Sequence, residues 1–299
     1  MQTLILNTSE TFRFSSCLWY LHQWCDHECL HRIEVKTLKK AVRLNGNPVY
    51  FEISEPIPSQ LTVNYVASGS HSATCDELKE YITALFDLDT DLLPFYQLGE
   101  QDDLLEPVIQ KLYGLRIVGI PDLFEAVCWA ITGQQINLAF AYTLKRRFVE
   151  TFGDCIEQEG HTYFIFPSSA LVAQLSVSDL TALQFSARKA AYIIGIAKAI
   201  THQELTKAQL QTLPLEQAKE RLVQWKGIGN WTANYVLMKS LQMQDAFPIE
   251  DVGLHNALKK LMKLPQKPDL PAIEQWAKPW SGWRAYLTFY LWQTLLDHE

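Results

Sequence analysis

Two short stretches of this chain combine residue types and spacings that can do chemistry. In the first, Lys226, Gly227, Ile228 and Gly229 separate one helical pattern from the next, which opens with Asn230, Trp231, Thr232 and Tyr235. Two glycines around one apolar residue open backbone conformations closed to other residues. The N–H groups of such a turn, with the positive end of the following helix, make an anion site suited to a phosphate and blind to base sequence. A plain tight turn between packed helices has the same spacing, so Gly-x-Gly alone leaves both readings open. The second stretch is Phe247, Pro248, Ile249, Glu250 and Asp251, just ahead of another helical pattern. The start of a helix favours negative charge, so a half-buried carboxylate can be held there. Asp is also a common helix cap, and capping does not exclude chemistry. Trp231 and Tyr235 lie four apart on one helical face. Their electron-rich rings could attract a cationic partner at about 0.5–2 kcal/mol each, although aromatics at helical spacing are also ordinary core residues.

The elements that must position these groups are mostly helical. Apolar residues recur at helical spacing over 76–85, 123–133, 137–152 and 187–200. Pro214 can open a helix running to Gln224, and further helices are expected over 231–241, 253–262 and 283–296. From residue 76 onward the pattern reads as helical throughout. Earlier, Ile33-Glu34-Val35, 49–53 and 61–66 are strand-like, Asn45-Gly46-Asn47-Pro48 is a turn signal, and 18–29 reads as a helix. The expected fold is therefore mainly α with an N-terminal α+β domain over 1–80. A helical region over 81–299 would carry the helix-hairpin-helix at about 214–243.

Composition limits the function classes. At 299 residues, 48% hydrophobic and 20% charged, the chain is globular rather than disordered. It has no apolar run long enough for a membrane span and no basic start followed by an apolar stretch, so a cytoplasmic protein is expected. The net charge of −7 argues mildly against a nucleic-acid partner. Screening over about 8–10 Å makes a local basic face matter more than the total, and the acid is uneven, with a cluster between Asp87 and Glu106 that can sit away from any DNA face. The scattered cysteines, 17, 25, 29, 75, 128 and 155, read as reduced thiols.

Taken together, Lys226 to Ala233 and Phe247 to His255 resemble the hairpin, Gly/Pro-rich loop and aspartate of the helix-hairpin-helix DNA glycosylase superfamily, most closely its bacterial DNA-3-methyladenine glycosylase II branch. Supporting segments are Leu85-Phe86-Asp87-Leu88, Phe124 to Asn137, Lys278-Pro279-Trp280 and Trp283-Arg284-Ala285-Tyr286. The resemblance covers roughly residues 80–297. It implies two helical subdomains flanking an active-site cleft, with damaged double-stranded DNA as partner and a monomeric enzyme. Asp251 would be the catalytic carboxylate, stabilising the oxocarbenium character of a sugar losing its base. Sugar hydrolases with two carboxylates protonate the leaving group, whereas an alkylated purine already carries positive charge, so one carboxylate suffices. In bifunctional members a Schiff-base lysine occupies the position of Trp231, so hydrolysis without strand cleavage is implied. Trp231, Tyr235, Trp292 and, from the N-terminal domain, Tyr20 would line the base pocket. Gly227, Ile228, Gly229, Lys226, Thr232 and Gln134 would meet DNA. Base flipping leaves a gap that either Gln135 or Ile136 fills. A monovalent cation would be held by backbone carbonyls near Val223, Trp225 and Ile228. The iron–sulfur cluster of some relatives needs four late cysteines, and none follows Cys155.

Cys25 and Cys29 would share a helical face as a conceivable metal pair, but their spacing matches no standard zinc module. His255 is expected to support its helix. Three other functions stay open: a glycosylase for other damaged bases, a non-catalytic hairpin module that only binds DNA, and a metal- or thiol-based sensor built on the Cys25 region.

Overall fold

In the computed structural model, which describes residues 1–67 and 71–296, the chain opens with strand β1 (Gln2–Asn7) and helix α1 (Phe14–His22). Strands β2 (His31–Glu34), β3 (Thr37–Leu44), β4 (Asn47–Ile57) and β5 (Gln60–Ala67) follow. The five strands form an antiparallel sheet in the order β1-β5-β4-β3-β2. The turn signal at Asn45-Gly46 works as expected: both residues have positive φ, +42° and +84°, and Leu44 pairs with Asn47 across a two-residue loop. Leu61, Val63 and Tyr65 alternate inward along β5. The helix expected over 18–29 begins earlier and ends at His22, so Cys25 and Cys29 fall in the turns beyond it and do not share a helical face.

Helices then dominate: α2 (His71–Phe86), α3 (Leu93–Gly99), α4 (Glu106–Lys111), α5 (Leu123–Gly133) and α6 (Leu138–Phe152). The expectation of unbroken helix fails next, where β6 (Asp154–Gln158) and β7 (His161–Ile165) form a hairpin. Glu159 and Gly160 at its tip have positive φ, and Tyr163 packs on Tyr50 of β4 with ring centroids 4.7 Å apart. The hairpin finds its apolar partners on the sheet, across the fold, and periodicity within the strands could not reveal that. The remaining helices are α7 (Ser169–Val172), α8 (Val177–Thr181), α9 (Ala187–Thr201), α10 (Lys207–Gln211), α11 (Leu215–Val223), α12 (Asn230–Lys239), α13 (Val252–Leu261), α14 (Leu270–Ala277) and α15 (Arg284–Gln293). Side-chain caps start several of them: Asp122, Asn137, Ser186 and Asp251 each accept the N–H three residues on. No described helix is long and apolar enough to cross a membrane.

Two helical groups face each other. In one, α5 packs on α6, α9 and α12, and α12 packs on α11; in the other, α15 packs on α4 and α13. One apolar core runs from Leu6 to Leu291, and α2 spans the expected 80/81 boundary. Phe95 centres an aromatic cluster that holds α15 in place. Its ring lies 5.5 Å from Trp280, 5.8 Å from Trp283, 5.6 Å from Tyr286 and 5.1 Å from Tyr290. Phe95→Ala should cost about 3–5 kcal/mol, the usual loss for a fully buried ring. Denaturant unfolding monitored by circular dichroism checks this, and a loss under about 1 kcal/mol would show that the cluster closes over the void.

Candidate active site

The hairpin between α11 and α12 is a two-stage turn. The Trp225 N–H donates to the Leu222 carbonyl at 3.1 Å and the Ile228 N–H to the Trp225 carbonyl at 3.1 Å. Gly227 has φ +93°, and a Cβ there would meet the Tyr192 ring of α9 at 2.4 Å, so this position needs glycine twice over. Gly229 does not: its φ of −93° and ψ of −178° are open to any residue. Its bare, exposed surface instead lets a ligand approach the start of α12 closely. Ile228 is buried and Lys226 exposed.

Gln134, at the end of α5, is spent on this turn. Its Nε2 donates to the Gly227 carbonyl and to Thr232 Oγ1, both at 2.9 Å. Lys189 of α9 donates to the carbonyls of Thr132 and Gln134 at 2.8 and 2.7 Å. Thr232 is buried, so of the hairpin residues singled out in sequence it faces inward. Gln135 sits beside this brace, exposed and at φ +56°, while Ile136 packs against the core. Gln134, Gln135, Arg188, Gly229 and Glu250 line one wide groove. The N-terminus of α9, capped by Ser186, opens onto it beside that of α12. Sequence reading had not singled out Ser186, Arg188 and Lys189; an N-cap serine followed by two cations was the available signal.

Asp251 is the N-cap of α13, and three N–H donors converge on its carboxylate. Oδ1 accepts from the Leu254 N–H at 2.7 Å and from Trp292 Nε1 at 2.8 Å; Oδ2 accepts from Trp231 Nε1 at 2.8 Å. Trp231 comes from α12 and Trp292 from α15, so the carboxylate bridges the two helical groups. Oδ2 takes one of these bonds and keeps further acceptor capacity. The loop that delivers Asp251 is pinned at both ends. Asn234 of α12 accepts the Phe247 N–H at 3.2 Å, and His255 Nε2 donates to the Ile249 carbonyl at 2.7 Å. His255 thus supports the loop ahead of its own helix. Glu250, next to Asp251, is exposed.

The aromatics meet as a row. Trp231 stacks on Tyr235 with centroids 5.5 Å apart and planes 29° apart, and Tyr235 lies 6.2 Å from Trp292. Tyr235 also lines a cavity of about 100 Å³ together with Tyr20, Trp24, Trp129, Tyr142 and Lys239. Tyr20 therefore reaches the same space from α1, its ring 4.9 Å from Phe289. A buried pair closes another side of this cavity, with Lys145 Nζ 2.9 Å from Glu28 and 3.8 Å from Glu125. Burial pushes the Glu28 carboxyl up, but Lys145 and His31 beside it outweigh burial and hold it below the usual carboxylate range. Lys226, Val223 and Trp225 lie on the hairpin itself and touch neither the row nor Asp251 in any hydrogen bond or ring contact among the described residues.

Comparison with known proteins bears on the family and the fold. The model of the HhH-GPD superfamily base excision DNA repair proteins matches residues 128–281, and that of the 8-oxoguanine DNA glycosylase N-terminal domain matches residues 3–127. A DNA-3-methyladenine glycosylase of Bacillus subtilis is 40% identical over 98% of this chain and 97% of its own. A 3-methyladenine DNA glycosylase of Archaeoglobus fulgidus has the same fold, with TM-score 0.83 at 22% identity over 97% of each chain. The Schizosaccharomyces pombe 3-methyladenine DNA glycosylase, solved with abasic DNA, matches 68% of this chain and 97% of its own at 26% identity and TM-score 0.54.

Gly253 is a site residue that sequence reading passed over. A Cβ there would meet Asp251 Oδ1 at 2.9 Å and Trp292 Nε1 at 3.3 Å. A glycine in the first turn of a helix, two residues after its cap, was the only sign. Gly253→Ala should push the Trp292 indole off the carboxylate. The assigned indole ¹H–¹⁵N resonance of Trp292 should move upfield and exchange faster with solvent; an unmoved resonance would show that the site absorbs a methyl group without repacking.

Proposed function

This chain belongs to the HhH-GPD superfamily of base excision DNA repair proteins, and we propose that it is a monofunctional DNA glycosylase for alkylated purines in duplex DNA. The observation that carries this reading is the Asp251 carboxylate, held by two indole N–H groups and a helix N-terminus at the mouth of an aromatic row. The relatives named DNA-3-methyladenine glycosylase support the substrate class.

The chemistry follows from that geometry. As the C1′–N bond of an alkylated purine lengthens, the electron pair leaves with the base and the sugar gains oxocarbenium character. The open lone pair of Asp251 Oδ2 faces the positive carbon and can also take the proton of the attacking water. Trp231 and Trp292 keep the carboxylate from rotating, so no reorganisation is needed as the charge develops. The stacked Trp231 and Tyr235 rings suit a cationic, planar base. No leaving-group acid is required, because alkylation has already made the purine a good leaving group.

The target base has to leave the stack. Of the two candidates for the gap, Gln135 is favoured, since it is exposed on a left-handed backbone beside the hairpin and Ile136 packs against the core. The N-termini of α9 and α12, with Arg188, receive the phosphates of one strand. The net charge of −7 does not oppose this, since contact is made at that groove. At the hairpin, the Val223 and Ile228 carbonyls take no turn or loop hydrogen bond among the described residues, and the Trp225 carbonyl takes only that of Ile228. These unspent lone pairs fit a monovalent cation, whose charge would strengthen the hold on phosphate.

The first test is chromatography of bases freed from methylated duplex DNA. Wild type should release 3-methyladenine or 7-methylguanine. Asp251→Asn should lose a factor of about 10²–10³ or more while still binding abasic-analogue DNA. Wild-type rates in the variant would remove Asp251 from the chemistry. Trp231→Lys, placing an amine where the lyase members of the superfamily carry one, should lower base release and leave abasic strands uncut. Efficient nicking of a 5′-labelled abasic duplex would show that this cleft lacks nothing for lyase chemistry but the amine.

A further inference from the structure

The helix that carries Trp231 and Tyr235 places one more residue on the same stripe, Lys239, four positions on. It is 3% exposed and lines the cavity that Tyr235 also lines. Its Nζ donates to the Val118 carbonyl and lies 5.3 Å from the Tyr20 ring centroid and 4.9 Å from that of Phe289. No carboxylate pairs with it among the described residues, so only one of the three ammonium donors is spent.

A methionine or leucine would fill this position without the cost of burying an amine, so packing does not explain the lysine. Most of the other charged groups around the cavity are accounted for. Glu28 and Glu125 are drawn to Lys145, and Lys40 donates to the Leu30 carbonyl at 3.1 Å. Burial pushes the His31 imidazole down to about 4 and the Tyr20 phenol up to about 12, and the Tyr235 and Tyr81 phenols are also pushed up, so these groups are uncharged near neutrality. Lys239 and Lys40 are left as cavity cations with donors to spare, and Lys239 is the one that shares a helix stripe with Trp231 and Tyr235.

We infer that Lys239 reads the edge of the extruded base, donating to a carbonyl oxygen of a neutral oxopurine and, when charged, opposing a cationic purine. This deepens the glycosylase reading and rests on it: the aromatic row suits any purine, and Lys239 sets the balance between neutral oxopurines and cationic alkylpurines. Burial lowers the Lys239 ammonium to about 7, so the balance is expected to change across neutral pH. Below that value the charge and all its donors are present and the neutral oxopurine is favoured; above it the charge is lost and the cationic base gains.

The test compares release of hypoxanthine and of 3-methyladenine from otherwise identical duplexes by wild type, Lys239→Met and Lys239→Gln, from pH 6 to pH 8.5. For wild type, the hypoxanthine to 3-methyladenine ratio of kcat/KM should fall as pH rises through about 7. Lys239→Met should lower that ratio by about tenfold or more, because the carbonyl loses its donor, and make it independent of pH. Lys239→Gln, which keeps a donor without charge, should retain part of the hypoxanthine release and lose the pH dependence; it also covers the case in which the methionine variant fails to fold. Equal loss on both bases, an unchanged ratio in both variants, or wild type that releases 3-methyladenine but no hypoxanthine would overturn the inference alone. Wild type that releases neither base would overturn the glycosylase reading itself.

Discussion

The constraint on which the site depends is that two half-buried indole N–H groups and one carboxylate need each other. A buried tryptophan seeks an acceptor for its N–H, and a half-buried carboxylate seeks donors. Trp231 and Trp292 come from helices in different packing groups, and Asp251 stands on a third helix between them. Satisfying all three at once sets how α12, α13 and α15 sit relative to one another. The aromatic cluster around Phe95 and the absence of a side chain at Gly253 make this approach possible. The same bonds that stabilise the cleft therefore fix the direction of Asp251 Oδ2, the oxygen proposed to react.

A second dependence links the hairpin to the rest of the molecule. Gln134 spans from the end of α5 to Gly227 and Thr232, and Lys189 holds the α5 terminus from α9. Three elements thereby share one rigid surface, from which Gln135 projects. The proposed phosphate groove, Gln135 and the cavity lined by Tyr235 lie on a common frame, so a strand bound in that groove would also have its base positioned. The N-terminal sheet contributes through α1 and the turns after it, which bring Tyr20, Trp24 and Glu28 to the cavity wall. That contribution accounts for a cavity that no helical group encloses alone.

Much of this was legible in the chain. Apolar spacing located α5, α6, α9, α11, α12 and α13 to within a residue or two, because each buries one stripe against a common core, and it passed over α3, α4, α7, α8, α10 and α14, which are too short to show a period. The Gly227 turn and the capping aspartate Asp251 announced themselves through local chemistry, glycine at positive φ and a carboxylate at a helix start. What stayed hidden was nonlocal. The β6–β7 hairpin is stabilised by the sheet it rests on, so its own pattern did not distinguish it from its helical neighbours. Gly229 looked like a second backbone requirement, yet its dihedrals are ordinary. Gly253, Asn234 and Lys239 carry no signal by themselves, since their roles consist of distances to residues elsewhere.

By itself, the sequence determined which groups are available: a glycine turn that exposes N–H donors, an aspartate at a helix start, rings four apart on one face, and too little acid or apolar excess to prevent a globular fold. These are properties of near neighbours, governed by backbone sterics and helix period, and need no partner to be read. Only the tertiary structure decided which of them meet. It brought Trp292 to Asp251 across 41 positions, turned Thr232 inward, spent Gln134 as a brace and left Lys239 buried with unused donors. Burial and hydrogen-bond partnership are settled by the packing of whole elements, and a side chain's chemistry depends on both.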